Sequence, residues 1–242
     1  MSEEPDLGRS EPGTIGGAGV VLLAAGASAR MGGLDKIFAD LGGSPVLAHS
    51  LGVFQAFPAI ERIVIVLSEA NLQRARELVQ SGGYTKVIEV CVGGARRQDS
   101  VAAGLKHLDG CDLVLIHDAA RPLIDVEMVA RGLAAAQRWG AAVPAIPVKD
   151  TIKVVEGGTV HRSLDRGSLV AVQTPQIFKS AIIKEAYARC GDDVTDDAML
   201  VERLGYPVAI YEGSQDNLKI TTSLDLAVAR FLVGQREGGA VA

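Results

Sequence analysis

Gly19-Val20-Val21-Leu22-Leu23-Ala24-Ala25-Gly26-Ala27-Ser28-Ala29-Arg30-Met31-Gly32-Gly33-Leu34-Asp35-Lys36 opens the foldable part of the chain and sets its class. Val20 to Leu23 is apolar, partly β-branched and free of polar alternation, the pattern of a strand covered on both faces of a parallel sheet. Only small residues follow, Ala24 to Ala29, so the backbone can turn tightly and present several N–H groups to an anion. Arg30 and Lys36 then add a forked donor and a point charge beside those amides. The run matches neither G-x-G-x-x-G nor G-x-x-x-x-G-K-[ST], which argues against a dinucleotide dehydrogenase and a P-loop NTPase. On this stretch alone two readings stay open: a polyphosphate grip, or a tight turn whose two cations are merely solvated.

Composition narrows the partners. With 242 residues, 48% of them hydrophobic and 22% charged, this is an ordinary globular chain with one main domain. A net charge of -5 and an aromatic content of 4% offer neither a phosphate-backbone field nor base-stacking platforms, so no nucleic acid is expected as a partner. Cys91, Cys111 and Cys190 are far apart and lack metal-ligand spacing, as reduced thiols of a cytoplasmic protein would be. The apolar run near the N-terminus is too short for a signal sequence and follows acidic residues; no stretch approaches a membrane span. Residues 1–18 read as a disordered extension and 234–242 as a flexible tail, leaving 19–233 as a single domain.

Beyond the first strand the pattern alternates. Pro45 to Phe54 has helical apolar spacing, Ile63 to Leu67 reads as a buried strand, Asn71 to Gln80 as a helix and Val87 to Val92 as a strand. This is an α/β, Rossmann-like, mostly parallel twisted sheet flanked by helices, whose ligands bind at the carboxyl ends of the strands. Gly93-Gly94-Ala95-Arg96-Arg97-Gln98-Asp99-Ser100 stands at one such end, where Ser100 can either cap a helix or meet a phosphate. Leu113 to Ile116 is another strand and runs into His117-Asp118-Ala119-Ala120-Arg121-Pro122. Past a central strand, Asp118 is placed to hold Mg²⁺ on a triphosphate and Arg121 to contact an anionic second substrate, with His117 a packed neighbour.

Val126 to Trp139 reads as a helix and Ala141 to Ile146 as a strand interrupted by Pro144 and Pro147. Two alternating segments around Gly157-Gly158 then form a hairpin arm over about 148–168. It has too few large apolar residues to stand alone, so it is expected to protrude and clasp a second copy in a homodimer, carrying Thr151 and Arg166 to the neighbour's site. Thr195, Asp196 and Asp197 read as caps of a helix Ala198 to Leu204, and Lys219 in a late polar loop as a second anion contact.

Taken together, Ala24-Ala25-Gly26 with Arg30-Met31 and Lys36, Gly93-Gly94 with Arg97 and Ser100-Val101, and His117-Asp118-Ala119-Ala120-Arg121-Pro122 resemble one family. Asp150-Thr151-Ile152-Lys153, Asp165-Arg166, Gln173-Thr174-Pro175-Gln176, Thr195-Asp196-Asp197-Ala198 and Asp216-Asn217-Leu218-Lys219 extend the resemblance over about residues 19 to 232. The family is that of the 2-C-methyl-D-erythritol 4-phosphate cytidylyltransferases of the non-mevalonate isoprenoid route. The resemblance implies transfer of a cytidylyl group from CTP to the acceptor phosphate with Mg²⁺. It makes Arg30 and Lys36 the catalytic cations, and Ala24, Ala25, Gly26, Gly93 and Ser100 the CTP contacts. Asp118 would hold the metal, and Arg121, Thr174 and Lys219 would line the sugar-phosphate site, joined by Thr151 and Arg166 of the partner's arm. The loop Gly32-Gly33-Leu34-Asp35 is shorter than is common in that family and lacks its proline, a form also similar to molybdenum-cofactor nucleotidyltransferases; the arm, the Ala-Ala-Arg-Pro turn and the Asn-Leu-Lys segment favour the first family, with a ribitol phosphate or molybdenum-cofactor nucleotidyltransferase as the alternative. A non-catalytic nucleotide-binding module is the reading from another class.

Overall fold

The computed structural model describes residues 17–26, 35–189, 191 and 193–238. Strand β1 (Ala18–Leu23) is followed by the short antiparallel pair β2 (Asp40–Leu41) and β3 (Ser44–Pro45), helix α1 (Val46–Ala56), β4 (Ile60–Leu67), α2 (Leu72–Gly82) and β5 (Val87–Val92). Helix α3 (Arg97–Leu105) then crosses to β6 (Leu113–Asp118), and α4 (Val126–Trp139) leads to β7 (Ala141–Pro147). After the arm strands β8 (Lys153–Glu156) and β9 (Thr159–Ser163), the chain returns through β10 (Val170–Val172) and β11 (Gln176–Lys179). It closes with α5 (Ser180–Arg189), α6 (Ala198–Arg203), β12 (Ala209–Glu212) and α7 (Ser223–Gly238).

All six residues of β1 are buried, as an uninterrupted apolar run at the centre of a parallel sheet should be. Its side chains alternate between two cores. Val20 and Leu22 join the cluster with Leu47, Leu51 and Phe54 of α1 and Met128 and Leu133 of α4. Val21 and Leu23 join the cluster with Val101 and Leu105 of α3, Ile183 of α5 and Val201 of α6. Helices therefore cover both faces, and the sheet runs β10-β7-β11-β6-β1-β4-β5 with β12 also paired to β7. The neighbours β5, β4, β1 and β6 are mutually parallel, and the strand order reverses between β1 and β6. That reversal is the crevice where open α/β sheets bind ligands.

One expectation is corrected. β7 runs unbroken through Pro144, whose carbonyl accepts the Gln173 N–H at 2.8 Å. Because the N and C=O of one strand residue face the same edge, the missing donor falls at the junction of the β11 and β10 ladders, where it removes little. β11 is inserted antiparallel between β6 and β7, an element that four residues of sequence do not announce. β1 starts at Ala18 and α7 continues through Gly238.

The arm forms as expected: Glu156 pairs with Thr159 across Gly157 and Gly158, whose φ values of 57° and 82° are the left-handed pair a two-residue turn needs. Val155 and Val160 on it are 59% and 62% exposed. No helix among the described residues is long and apolar enough to cross a membrane.

Gly104 sets how closely α3 lies on the sheet, since a Cβ there would stand 2.6 Å from Val21 Cγ1 and 3.1 Å from Val66 Cγ2. Both neighbours are β-branched and stiff. Gly104→Val is therefore expected to destabilise the fold by about 2 kcal/mol or more through overpacking, against a gain in helix propensity of under about 1 kcal/mol. Urea denaturation checks this, and an unchanged midpoint would refute the close approach.

Candidate active site

The ladder continues past the strand ends and brings their last residues together. Ala24 N–H donates to Val66 C=O at 2.7 Å, Gly93 N–H to Leu67 C=O at 2.7 Å and Ala119 N–H to Leu23 C=O at 2.9 Å. A cavity of about 290 Å³ opens over these ends. Ala24, Ala25, Gly26, Lys36, Ser100, Asp118 and Lys219 line it, so the structure gathers these predicted site residues in one place. Gly93 lies beside it: a Cβ there would meet Ser100 Oγ at 2.6 Å and Ala25 Cβ at 2.8 Å, so only glycine lets the two loops close. A Cβ at Gly26 would lie 4.0 Å from Lys36 Nζ, which leaves the floor below that cation open.

Local structure holds each of these groups. Asp35 accepts the Ile37 N–H at 3.2 Å and an Asn71 amide proton at 2.5 Å, and this fastens the segment that carries Lys36. Ser100 stands in the first turn of α3, where its hydroxyl oxygen accepts the Gly94 N–H at 3.1 Å. The Asp99 carboxylate accepts the Arg96 N–H at 3.1 Å, as an N3 acid should at a helix start. Asp118 ends β6 with Lys219 Nζ at 2.6 Å from one carboxylate oxygen and Arg97 Nε at 3.6 Å from the other. Burial alone would push the Asp118 carboxyl up, but Lys219 and Arg97 prevail and hold it at about 2.

Arg96 and Arg97 also line the cavity and carry roles that the sequence reading did not give them. Two adjacent arginines at a helix N-terminus oppose the helix dipole and therefore need anions nearby, a signal available in the sequence. Arg97 donates to Asp197 at 2.8 Å, and Asp197, fully buried, also accepts the Tyr187 hydroxyl at 2.6 Å. Burial opposes the Arg97 charge, yet Asp197 and Asp118 outweigh it and raise its pKa. Asp197 therefore stands at the N-cap of α6 without a capping hydrogen bond from its side chain, and Asp196 accepts the Met199 N–H at 3.1 Å instead. Arg96 is held by Asp99 at 2.7 Å and Asp193 at 2.8 Å.

Other predicted residues stand elsewhere. Arg121 turns its guanidinium to the Asn217 carbonyl at 2.7 Å, and burial pulls its pKa down. Thr174 is buried behind the cavity, where its hydroxyl accepts the Asp118 N–H at 3.1 Å and meets His117 Nδ1 at 3.1 Å. Thr151 and Arg166 lie at the base of the arm, Arg166 donating to Lys149 C=O at 2.7 Å. Arg30 lies outside the described residues. Cys91 and Cys111 are unpaired, and burial pushes both thiols up, which suits inert packing; Cys190 is outside the described residues. Among the described residues no three His, Cys, Asp or Glu side chains gather as a metal cage.

His117 is a fully buried neighbour of the site. Its Nε2 faces the Arg121 carbonyl at 3.1 Å, which can only accept, so Nε2 carries the proton and Nδ1 accepts from Thr174. Burial pulls the ring down to about 4, so it is neutral at pH 7.

The fold and the cavity define an α/β protein with a cationic, anion-receiving cleft at its topological switch point. Within that class the comparisons are specific. The family model described as IspD, 2-C-methyl-D-erythritol 4-phosphate cytidylyltransferase, matches residues 18–235. A protein of that description from Dehalococcoides mccartyi strain 195 is 53% identical over 216 residues, covering 89% of this chain and 95% of that one. One from Bacillus velezensis is 43% identical, covering 90% and 97%. The crystal structure of the 4-diphosphocytidyl-2C-methyl-D-erythritol synthase of Anaerococcus prevotii superposes with a TM-score of 0.82 at 26% identity, covering 91% of this chain and all of that one. A Thermus thermophilus cytidylyltransferase structure gives 0.72 at 38% identity, covering 88% and 98%. The chain belongs to the 2-C-methyl-D-erythritol 4-phosphate cytidylyltransferase family.

The depressed His117 sets a pH dependence. The unfolded ring binds a proton near pH 6.5 and the folded ring only near 4, so the unfolded chain holds more protons in between and stability falls as pH drops through that window. From pH 7 to pH 5 the loss is about 2 kcal/mol. Denaturant titrations at the two pH values should show it, and His117→Gln, although less stable outright, should lose most of that dependence; an equal dependence in the variant would contradict the neutral buried ring.

Proposed function

We propose that the chain transfers a cytidylyl group from CTP to 2-C-methyl-D-erythritol 4-phosphate, releasing pyrophosphate. The observation that carries this reading is the charge around the cavity: among the described residues Lys36, Arg96, Arg97 and Lys219 line it with a single carboxylate, Asp118. The relatives named above are cytidylyltransferases for that acceptor, and the reading takes the activity from them.

The chemistry asks for little else. The attacking phosphate monoester is already ionised near neutral pH, so no general base is required and the barrier lies in bringing two polyanions together. Backbone amides of the Ala25 and Gly26 turn and the Ser100 hydroxyl would receive the triphosphate. Lys36 would face the charge that grows on the α-phosphoryl group and the departing pyrophosphate, a role Arg30 would share. Arg97, held by Asp197, is a cation whose place is set before substrate arrives, which spares reorganisation in the transition state.

One carboxylate suits Mg²⁺ that arrives on a nucleotide, since that ion is held by one or two carboxylates together with substrate phosphates. Asp118 would hold it, and bound there it would neutralise phosphate charge. Lys219, which lines the cavity next to Asp118, would serve the acceptor phosphate, and Arg121 would join it only by leaving the Asn217 carbonyl. Thr151 and Arg166 would reach that phosphate across a homodimer through the arm; the exposure of Val155 and Val160 supports such a clasp.

Product analysis with CTP, UTP and ATP against a panel of acceptors, including 2-C-methyl-D-erythritol 4-phosphate and ribitol 5-phosphate, tests the assignment. Cytidylyl transfer to the erythritol phosphate is expected, and transfer only to another acceptor or none at all would refute it. Lys36→Ala should lower kcat by about 10²-fold or more with the fold intact, as removal of a transition-state charge does; near-normal turnover would remove Lys36 from that role. Arg166→Ala should raise the KM for the sugar phosphate more than that for CTP, and the reverse ratio would contradict its placement.

A further inference from the structure

Asp118 has a cation at each carboxylate oxygen, and the two are not equivalent. Arg97 reaches one oxygen at 3.6 Å while bound at 2.8 Å to the fully buried Asp197, so it has nowhere else to go without stranding that carboxylate. Lys219 reaches the other oxygen at 2.6 Å with a side chain that is 41% exposed, against 12% for Asp118. Its backbone is fixed: the next residue, Ile220, is buried and donates its N–H to Ala120 C=O at 2.8 Å. Lys219 can therefore leave Asp118 by rotating its side chain alone, into the cavity it lines.

We propose that Lys219 is a displaceable counter-ion that keeps divalent metal off Asp118 while the nucleotide site is empty. A dication approaching Asp118 in the free chain meets two cations already paired with it, and their repulsion is not offset until a triphosphate brings its own negative charge. Arrival of the metal on its nucleotide then releases the Lys219 ammonium toward the incoming acceptor phosphate. One lysine thus serves two anions in turn, the carboxylate first and the phosphate second. This rests on the reading of Asp118 as the metal-holding carboxylate.

The test needs no turnover. Mn²⁺ is titrated into the nucleotide-free full chain, and free Mn²⁺ is followed by its electron paramagnetic resonance signal, for the wild type, Lys219→Gln, Lys219→Met and Lys219→Gln combined with Asp118→Asn. Removing the competing ammonium should strengthen Mn²⁺ binding by about 10-fold in both single variants, and Asp118→Asn should abolish the gain. Using two different replacements keeps the result independent of how either one folds, which thermal melting checks. Equal affinity in all chains, including no measurable binding in any, overturns the proposal, as does a gain that Asp118→Asn leaves in place. The wild-type product assay separates this from the reading beneath it: cytidylyl transfer without a gain in the Lys219 variants removes the counter-ion role alone.

Discussion

The arrangement depends on one shared guanidinium. Arg97 lies between Asp197, which has no exposed surface, and Asp118 at the end of β6. A buried carboxylate without a partner is costly, and removing one member of such a pair commonly costs about 3–5 kcal/mol because the other charge is left stranded. Tyr187 completes the shell of Asp197 at 2.6 Å, and the Gln176 carboxamide oxygen accepts the Asp197 and Ala198 N–H groups at 3.1 Å. The first turn of α3, the start of α6 and the ends of β6 and β11 are therefore fixed to each other by charge and hydrogen bonding, not by apolar packing alone. Arg96, by contrast, is about half exposed, and its pairs with Asp99 and Asp193 contribute little to stability.

A second polar set fastens the wall that carries Lys219. Asn217 is fully buried; its amide donates to Thr174 C=O at 2.9 Å and to Gln173 Oε1 at 3.2 Å, while its own carbonyl receives Arg121. Thr174 in turn links to the Asp118 N–H and to His117. The late loop, the β10 to β11 junction and the β6 end thus move as one unit. The same set surrounds His117, whose neutral state follows from burial, with Nε2–H donating to the Arg121 carbonyl and Nδ1 facing the Thr174 hydroxyl.

Much of this was legible in the chain because it is local. The apolar run Val20 to Leu23 and the small residues after it state a buried parallel strand and a tight turn without reference to the rest of the molecule, and Gly157-Gly158 states a hairpin. The gathering of Ala24 to Gly26, Ser100 and Asp118 follows from the rule that such sheets bind at their carboxyl ends. What stayed hidden is non-local. Nothing near Asp197 says that its carboxylate will meet an arginine a hundred residues earlier, so it reads as a cap; nothing near Arg121 says that the Asn217 carbonyl will turn its guanidinium aside. Pro144 reads as a breaker because its missing donor matters only if a strand needs it, and that is decided by where β11 stops and β10 begins.

The same accounting explains how a chain with net charge -5 can receive polyanions. Net charge governs solubility and long-range attraction, whereas a cleft answers to the charges that face it, and among the described residues these are four cations to one carboxylate. That excess is useful only if the cations cannot relax onto nearby acids when the cleft is empty. Arg97 is prevented from doing so because its acid, Asp197, is buried behind it and holds it where it also faces the cavity. Lys219 is not prevented, since its partner at 2.6 Å, Asp118, stands at the cavity wall. The cleft therefore combines a cation whose position is set by folding with one that its own side chain is free to carry away, and the difference between them is whether the paired carboxylate lies inside the core or at the cavity wall.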